Sequence, residues 1–185
     1  MDLQTAPDYA APFVGWRTWA LTRSDGELRL RSVLKPTVWE PCEPLRARCL
    51  RSRVSRLVNR HAAPVETCVC GVYAAELRTA AAYLGDPLLG AMSLEVRHVV
   101  GRVALWGDVI ECDRGYRASL AYPQHVYVAA RALNGERRHD ADDVATALEH
   151  YRVPVTIVDL DEPRLLRALA RSSGPPSQPA WFAGA

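Results

Sequence analysis

Four side chains with the chemistry of metal ligands lie close together in the sequence. Three of the five cysteines and one of the five histidines fall between residues 49 and 70. Thiolate and imidazole are ligands that zinc prefers, and four of them complete a tetrahedron. The sequence therefore predicts a structural zinc site at Cys49, His61, Cys68 and Cys70, with Cys42 as the alternative to Cys49.

The spacing of Cys68 and Cys70 leaves other uses of these side chains open. A single residue between them is tighter than the gap of common zinc sites, although Gly71 allows the chain to turn there. Reduced structural cysteines and a redox thiol pair are the alternatives. If His61 and the two cysteines alone bind the metal, an open position beside Glu66 would suit a zinc-dependent hydrolase or transferase. The sequence lacks the His-x-Glu and Pro-Cys-x-x-Cys pattern of zinc deaminases, which favours a structural metal.

A run of arginines overlaps the predicted zinc site. No acidic residue occurs between Glu43 and Glu66, so this segment is strongly basic. A basic segment held at both ends by a metal could contact phosphates, which makes nucleic-acid binding one interpretation. A solvated basic face is the other. The arginines are Arg46, Arg48, Arg51, Arg53, Arg56 and Arg60.

The aromatic residues fall mostly on predicted strands, where we expect them to form the core. Trp19 or Trp39 could instead line an exposed groove together with Arg17 and Arg117. Aromatic and arginine side chains are enriched at protein interfaces. Such a surface would bind a protein partner, and Arg51, Arg53, Arg56 and Arg60 could extend it.

Composition argues against several other classes of protein. The net charge is only +2 over 185 residues, so no global field points to nucleic acid or membrane. No apolar run approaches the roughly 20 residues that span a bilayer. We expect no secretory signal and a cytoplasmic setting, where clustered cysteines more often bind metals than form disulfides.

Two hairpins and a helix are predicted for the first two thirds of the chain. Residues 13–22 and 27–33 alternate in polarity around an Asp25-Gly26 turn, the pattern of a β-hairpin. Residues 76–84 are alanine-rich with one apolar face and predict a helix. Residues 96–122 predict a second hairpin around residues 113–115.

The last third is predicted to be mainly helical. We expect helices over 141–152 and 163–170 with a short strand over 153–158 between them. The whole is predicted to be an α+β fold: a small twisted antiparallel sheet or partly open barrel, a zinc-stapled loop and a helical C-terminal third. Residues 13–171 would form one domain between disordered residues 1–12 and 172–185. Trp181-Phe182 would rest on the surface or dock a partner.

Several fragments together resemble a group of small uncharacterised bacterial proteins. These proteins carry a Cys-His-Cys-x-Cys cluster followed by a Trp-Gly strand pair. The resemblance covers roughly residues 13–125 and implies the fold and the metal site, but no activity. In that group the gap between the first cysteine and the histidine is usually shorter, so that 50–60 resembles an insertion. The fragments are Gly15-Trp16-Arg17-Thr18-Trp19, His61-Ala62-Ala63-Pro64, Cys68-Val69-Cys70-Gly71, Leu105-Trp106-Gly107 and Gly115-Tyr116-Arg117-Ala118.

Overall fold

The computed structural model describes residues 11–35, 37–49, 61–82, 98–131, 138–161, 164, 168 and 169. Most of these residues belong to strands of one sheet. In chain order the strands are β1 (Phe13–Ser24), β2 (Glu27–Ser32), β3 (Val38–Trp39), β4 (Leu45–Arg46), β5 (Val72–Ala75), β6 (His98–Cys112), β7 (Gly115–Arg131) and β8 (Val155–Asp161). The helices are α1 (Leu77–Ala82), α2 (Arg138–Leu148) and a 3-10 turn at Glu149–Tyr151.

The first predicted hairpin is confirmed. β1 and β2 pair from Trp19 opposite Ser32 to Ser24 opposite Glu27. Asp25 and Gly26 both have positive φ, 53° and 80°. Two consecutive residues in this region form the turn whose twist matches that of the flanking strands.

The second predicted hairpin is also present and is longer than expected. β6 and β7 pair from Val100 opposite Tyr127 to Cys112 opposite Gly115. Residues 124–131 continue β7 beyond the predicted hairpin. β6 also pairs with β1, so the two hairpins lie side by side in one sheet.

The sheet differs from the prediction in two respects. It is mixed, because β8 runs parallel to β7 from Val155 opposite Val126. After β7 the chain passes through α2 and returns beside the last part of β7, from Val126 onward, and a helical crossover of this kind joins parallel strands. Over the described residues the sheet does not close into a barrel, so that part of the prediction is wrong.

The main core lies between the sheet and α2. Ala141, Leu148 and Tyr151 are buried against Trp19 and Leu30. A second, smaller cluster holds Leu77 of α1, Val100, Ala129 and Leu169. The helices therefore cover apolar residues of two separate clusters, which is how an α+β domain buries its sheet.

A helical C-terminal third is not shown over the described residues, although two of the elements predicted for it are present. The helix predicted over 141–152 is present as α2 and the 3-10 turn, and the strand predicted over 153–158 is present as β8, which begins at Val155. Of the predicted helix 163–170, Arg164, Ala168 and Leu169 are helical, and the others lie outside the described residues. The predicted disordered ends, 1–12 and 172–185, lie almost wholly outside them, as does Trp181-Phe182. No helix in the described part of the chain is long and apolar enough to cross a membrane.

Candidate metal centre

The four predicted ligands come together at one end of the sheet. Cys49 follows β4, which pairs with β7 and continues through a hydrogen bond from Ala47 N to Ser119 O at 2.8 Å. The other three ligands lie on residues 61–70, here called the ligand loop, which leads directly into β5. Because β4 and β5 both pair with β7, the sheet brings both segments to the same place.

The ligand atoms lie close enough together to hold one metal ion. The Sγ atoms of Cys49 and Cys68 lie 3.8 Å apart, and His61 Nε2 lies 3.3 Å from Cys70 Sγ. Zinc–sulfur bonds of about 2.3 Å at a tetrahedral angle separate two sulfurs by about 3.8 Å, and a sulfur and a nitrogen by about 3.6 Å. All four ligand atoms lie within 4.8 Å of one another. We call Cys49, His61, Cys68 and Cys70 the Cys/His cluster.

The Cys/His cluster is shielded from solvent. Its three cysteines are each 8% exposed and pack with the buried Ala63. The loop between them is tightly turned: Cys68 N donates to Val65 O at 3.0 Å. None of the five cysteines, all of which lie in the described residues, forms a disulfide. A buried group of thiols that form no disulfide, beside an imidazole, is therefore available to a metal ion.

The electrostatics of the cluster favour ionisation of the Cys68 thiol over ionisation of the Cys70 thiol. Burial raises the pKa of the Cys68 thiol, but the backbone amide of Cys70 and the neighbouring side chains outweigh it and lower this pKa to about 7. Burial raises the pKa of the Cys70 thiol, and the adjacent sulfurs of Cys68 and Cys49 oppose its ionisation further. Several thiolates so close together need a cation, because like charges in one buried site repel.

Arg117 on β7 lies under the ligand loop and not on a recognition surface. Its side chain is only 7% exposed. The guanidinium donates hydrogen bonds to the main-chain oxygens of Val65 and Cys70, both at 3.0 Å, and to that of Cys68. It also donates to Glu66 O at 3.3 Å. The prediction that Arg117 faces a partner is therefore wrong, because its donors are used inside the protein.

The two tryptophans predicted for the same surface are buried as well. Trp19 and Trp39 are 0% and 1% exposed, and their rings meet edge to face with centroids 5.5 Å apart. Arg17 is half-buried, with its guanidinium 5.1 Å from the Trp39 ring centroid. It donates to Ser32 Oγ at 3.0 Å and to Tyr73 O. The aromatic and arginine groove predicted from the sequence is therefore not formed by these residues, because they complete the core.

The remaining predicted site residues are placed as follows. Cys42, the alternative ligand, is exposed, and its thiol contacts His150 O at 3.6 Å, away from the cluster. Glu66 has an exposed side chain. The predicted surface residues Arg51, Arg53, Arg56 and Arg60 lie outside the described residues.

Two exposed apolar side chains beside the cluster were not singled out from the sequence. Val69, between two ligands, is 72% exposed, and Tyr73 of β5 is 42% exposed. The Tyr73 hydroxyl donates to Val69 O at 2.8 Å. A signal was present for Val69: if Cys68 and Cys70 turn inward to one metal, the residue between them must point outward.

Comparisons of the chain with protein-family models, with curated proteins and with solved structures find no match. The resemblance to small bacterial proteins therefore stays a prediction. The candidate metal centre is supported by the geometry of its own residues.

Proposed function

We propose that the protein is a zinc-stapled cytosolic binding module that engages a protein partner next to its metal site. The observation that carries the proposal is the Cys/His cluster, in which four ligand atoms lie within 4.8 Å of one another. Three sulfurs and one nitrogen within 4.8 Å of one another suit zinc better than the hard, oxygen-binding cations. The absence of disulfides among the five cysteines supports a reducing compartment.

A structural role for the metal is favoured over a catalytic one. Catalytic zinc keeps one position for water and uses three protein ligands, whereas structural zinc is closed by four. The cluster offers four donors, and three of them are on buried cysteines. Zinc would then fix the ligand loop against Cys49, which follows β4.

The contact surface we propose consists of Val69 and Tyr73. Both are large apolar side chains exposed beside the cluster. Val69 is held between two ligands, and the hydrogen bond from Tyr73 to its carbonyl joins it to β5. A rigid apolar pair loses little conformational entropy when it is buried, and tyrosine is frequent among the residues that dominate binding energy. Zinc would thus prepare the surface by ordering the loop that bears it.

The proposal is tested by site-specific crosslinking. A photoreactive amino acid replaces Val69 in the zinc-loaded protein, and the crosslinked partner is identified and its complex rebuilt from purified components. The matched control carries the same probe at Leu34, which is also exposed but lies between β2 and β3. We expect a partner that binds only the zinc-loaded protein and is lost in Tyr73→Ala. Equal capture from Leu34, or binding that survives zinc removal, would contradict the proposal.

Nucleic-acid binding is a second candidate for one specific reason. Cys49 and His61, both members of the cluster, bound the segment 50–60 that contains Arg51, Arg53, Arg56 and Arg60. The exposed Arg46 and Arg48 precede it. The two residues that flank this basic segment, Cys49 and His61, would then bind the same metal ion. Association with RNA or DNA that weakens steeply with salt would support this candidate over a protein partner.

A further inference from the structure

Arg117 has an unusual environment for a buried cation. It is 7% exposed, yet its hydrogen bonds go to main-chain oxygens, and within the described residues no carboxylate pairs with it. A buried charge without a counter-ion is costly. The thiolates of the Cys/His cluster are candidates for the counter-charge, because Arg117 donates hydrogen bonds to the carbonyls of Cys68 and Cys70 themselves.

The charges of the metal-loaded cluster complement Arg117. Three thiolates, one neutral imidazole and one divalent cation sum to a net charge of −1. The guanidinium carries +1 at all accessible pH values. Together they make the buried site neutral, which removes much of the desolvation cost of each part alone.

The geometry of Arg117 suits it to shape the ligand loop as well. A guanidinium has five donors in a planar fork, and here the fork reaches four carbonyls on the loop: those of Val65, Glu66, Cys68 and Cys70. Gly71 allows this close approach, since a Cβ built there would lie 3.1 Å from the Cβ of Arg117. Gly71 also has a φ of +128°, which other residues rarely adopt.

We propose that Arg117 is the positioning residue of the metal centre: its fork holds the ligand loop in the metal-binding shape, and its charge balances the metal–thiolate unit. This inference rests on the metal site of the proposed function. Arg117 of β7 would then control the affinity of the site for a divalent ion. Residues that orient metal ligands typically change affinity about 10- to 100-fold when they are mutated.

The test is the zinc dissociation constant, measured by competition with a chromophoric chelator. We expect Arg117→Met to weaken zinc binding about 10- to 100-fold. Arg117→Lys, which keeps the charge but loses the fork, should lie between Arg117→Met and the wild type. Arg114→Met is the matched control, because Arg114 is exposed in the β6–β7 turn and should leave the affinity unchanged.

Cobalt substitution tests whether Arg117 positions the metal ligands, because a residue that only stabilised the fold would not change the spectrum of the bound ion. The visible spectrum of bound Co²⁺ reports ligand geometry, and we expect it to change in Arg117→Met at full metal occupancy while Arg114→Met keeps the wild-type spectrum. Zinc affinity of Arg117→Met within twofold of wild type would overturn the inference. So would an Arg117→Lys variant no better than Arg117→Met, since charge would then play no part.

The outcomes separate this inference from the proposed function. If the wild-type protein binds neither zinc nor cobalt, the metal site itself is refuted. If the wild type binds zinc and the Arg117 variants bind it equally well, only the role of Arg117 fails. Should Arg117→Met not fold, Arg117→Lys decides alone: an affinity and a cobalt spectrum identical to wild type overturn the inference, and a weaker affinity supports it.

Discussion

The sulfur atoms of Cys49 and Cys68 lie 3.8 Å apart although the residues are 19 positions apart in sequence. A disulfide would bring them to about 2.05 Å, and two sulfurs on one zinc ion lie about 3.8 Å apart. The sheet therefore sets these two thiols at the separation of shared metal ligands and not at that of a covalent pair.

Zinc should protect three of the five cysteines from alkylation. In the loaded protein, we expect Cys42, which is exposed, to react quickly and the three cluster cysteines to resist. Chelation should make Cys49, Cys68 and Cys70 reactive, because the thiolates lose their metal bonds and the loop its fixed shape. Mass spectrometry after timed alkylation measures this. Equal protection with and without chelator would mean that burial alone shields these thiols.

Tyr151→Phe should destabilise the fold markedly. The Tyr151 hydroxyl accepts a hydrogen bond from Leu30 N at 2.9 Å and donates one to Trp39 O at 2.6 Å, all in the buried core. Its removal leaves a buried donor and a buried acceptor unsatisfied, which should lower the free energy of unfolding by about 2 kcal/mol. Urea denaturation measures the change. The control is Tyr73→Phe, which loses an exposed hydrogen bond and should cost less than about 1 kcal/mol; equal losses would contradict the assignment.

The same tyrosine predicts a loss of stability at alkaline pH. Burial raises the pKa of Tyr151 to about 12 from its ordinary value of 10.0. Because the folded-state pKa is the higher one, this contribution is complete below pH 10 and is lost as the pH rises towards about 12. Unfolding free energies at pH 9 and pH 11 should therefore differ more in the wild type than in Tyr151→Phe. Parallel pH profiles of the two proteins would show that Tyr151 does not titrate in this way.

The partly buried His98 predicts a further loss of stability in acid. Burial, and then the charge of Arg31, lowers the pKa of His98. The unfolded state then binds protons at a higher pH than the folded state, so stability falls as the pH drops below about 6.5. His98→Gln should flatten the pH profile of the unfolding free energy between about pH 6.5 and 5. The same profile in wild type and variant would rule out His98 as its source.

Gly101→Ala should disrupt the centre of the sheet. Gly101 lies on β6 between β1 and β7, and a Cβ there would come within 2.1 Å of His125 O and 2.9 Å of Trp19 Cζ3. Backbone cannot easily move aside, so we expect a cost of about 3 kcal/mol in the free energy of unfolding. Gly26→Asn is the control, since nothing lies within 4 Å of that turn position and asparagine tolerates positive φ. A Gly101→Ala protein as stable as this control would contradict the close packing described for β6.

The sequence predicted the elements with strong local signals. The Asp25-Gly26 turn, the alanine-rich helix and the second hairpin are all present because turn residues and periodicity are local properties. The cluster was predictable from ligand chemistry, and the choice of Cys49 over Cys42 agrees with their positions. The parallel pairing of β8 was not predictable in this way, because it depends on where the crossover through α2 returns the chain.

Arg117, Trp19 and Trp39 show why a binding surface was harder to predict. Alternation along a strand says which residues share a face, but it does not say which face α2 will cover. From the sequence alone, an arginine on a strand is expected to face solvent. The carbonyls that accept the hydrogen bonds of Arg117 lie about 50 positions away, on the ligand loop. Long-range contacts of this kind are not visible in local patterns.

The most direct test of the central claim is the zinc content of the purified protein and of two single variants, measured by elemental analysis. We predict one zinc ion per chain in the wild type and in Cys42→Ser, and its loss in Cys49→Ser, because Cys49 alone of the two lies in the cluster. Absence of metal from the wild type, or zinc retained in full by Cys49→Ser, would contradict the closed four-ligand site.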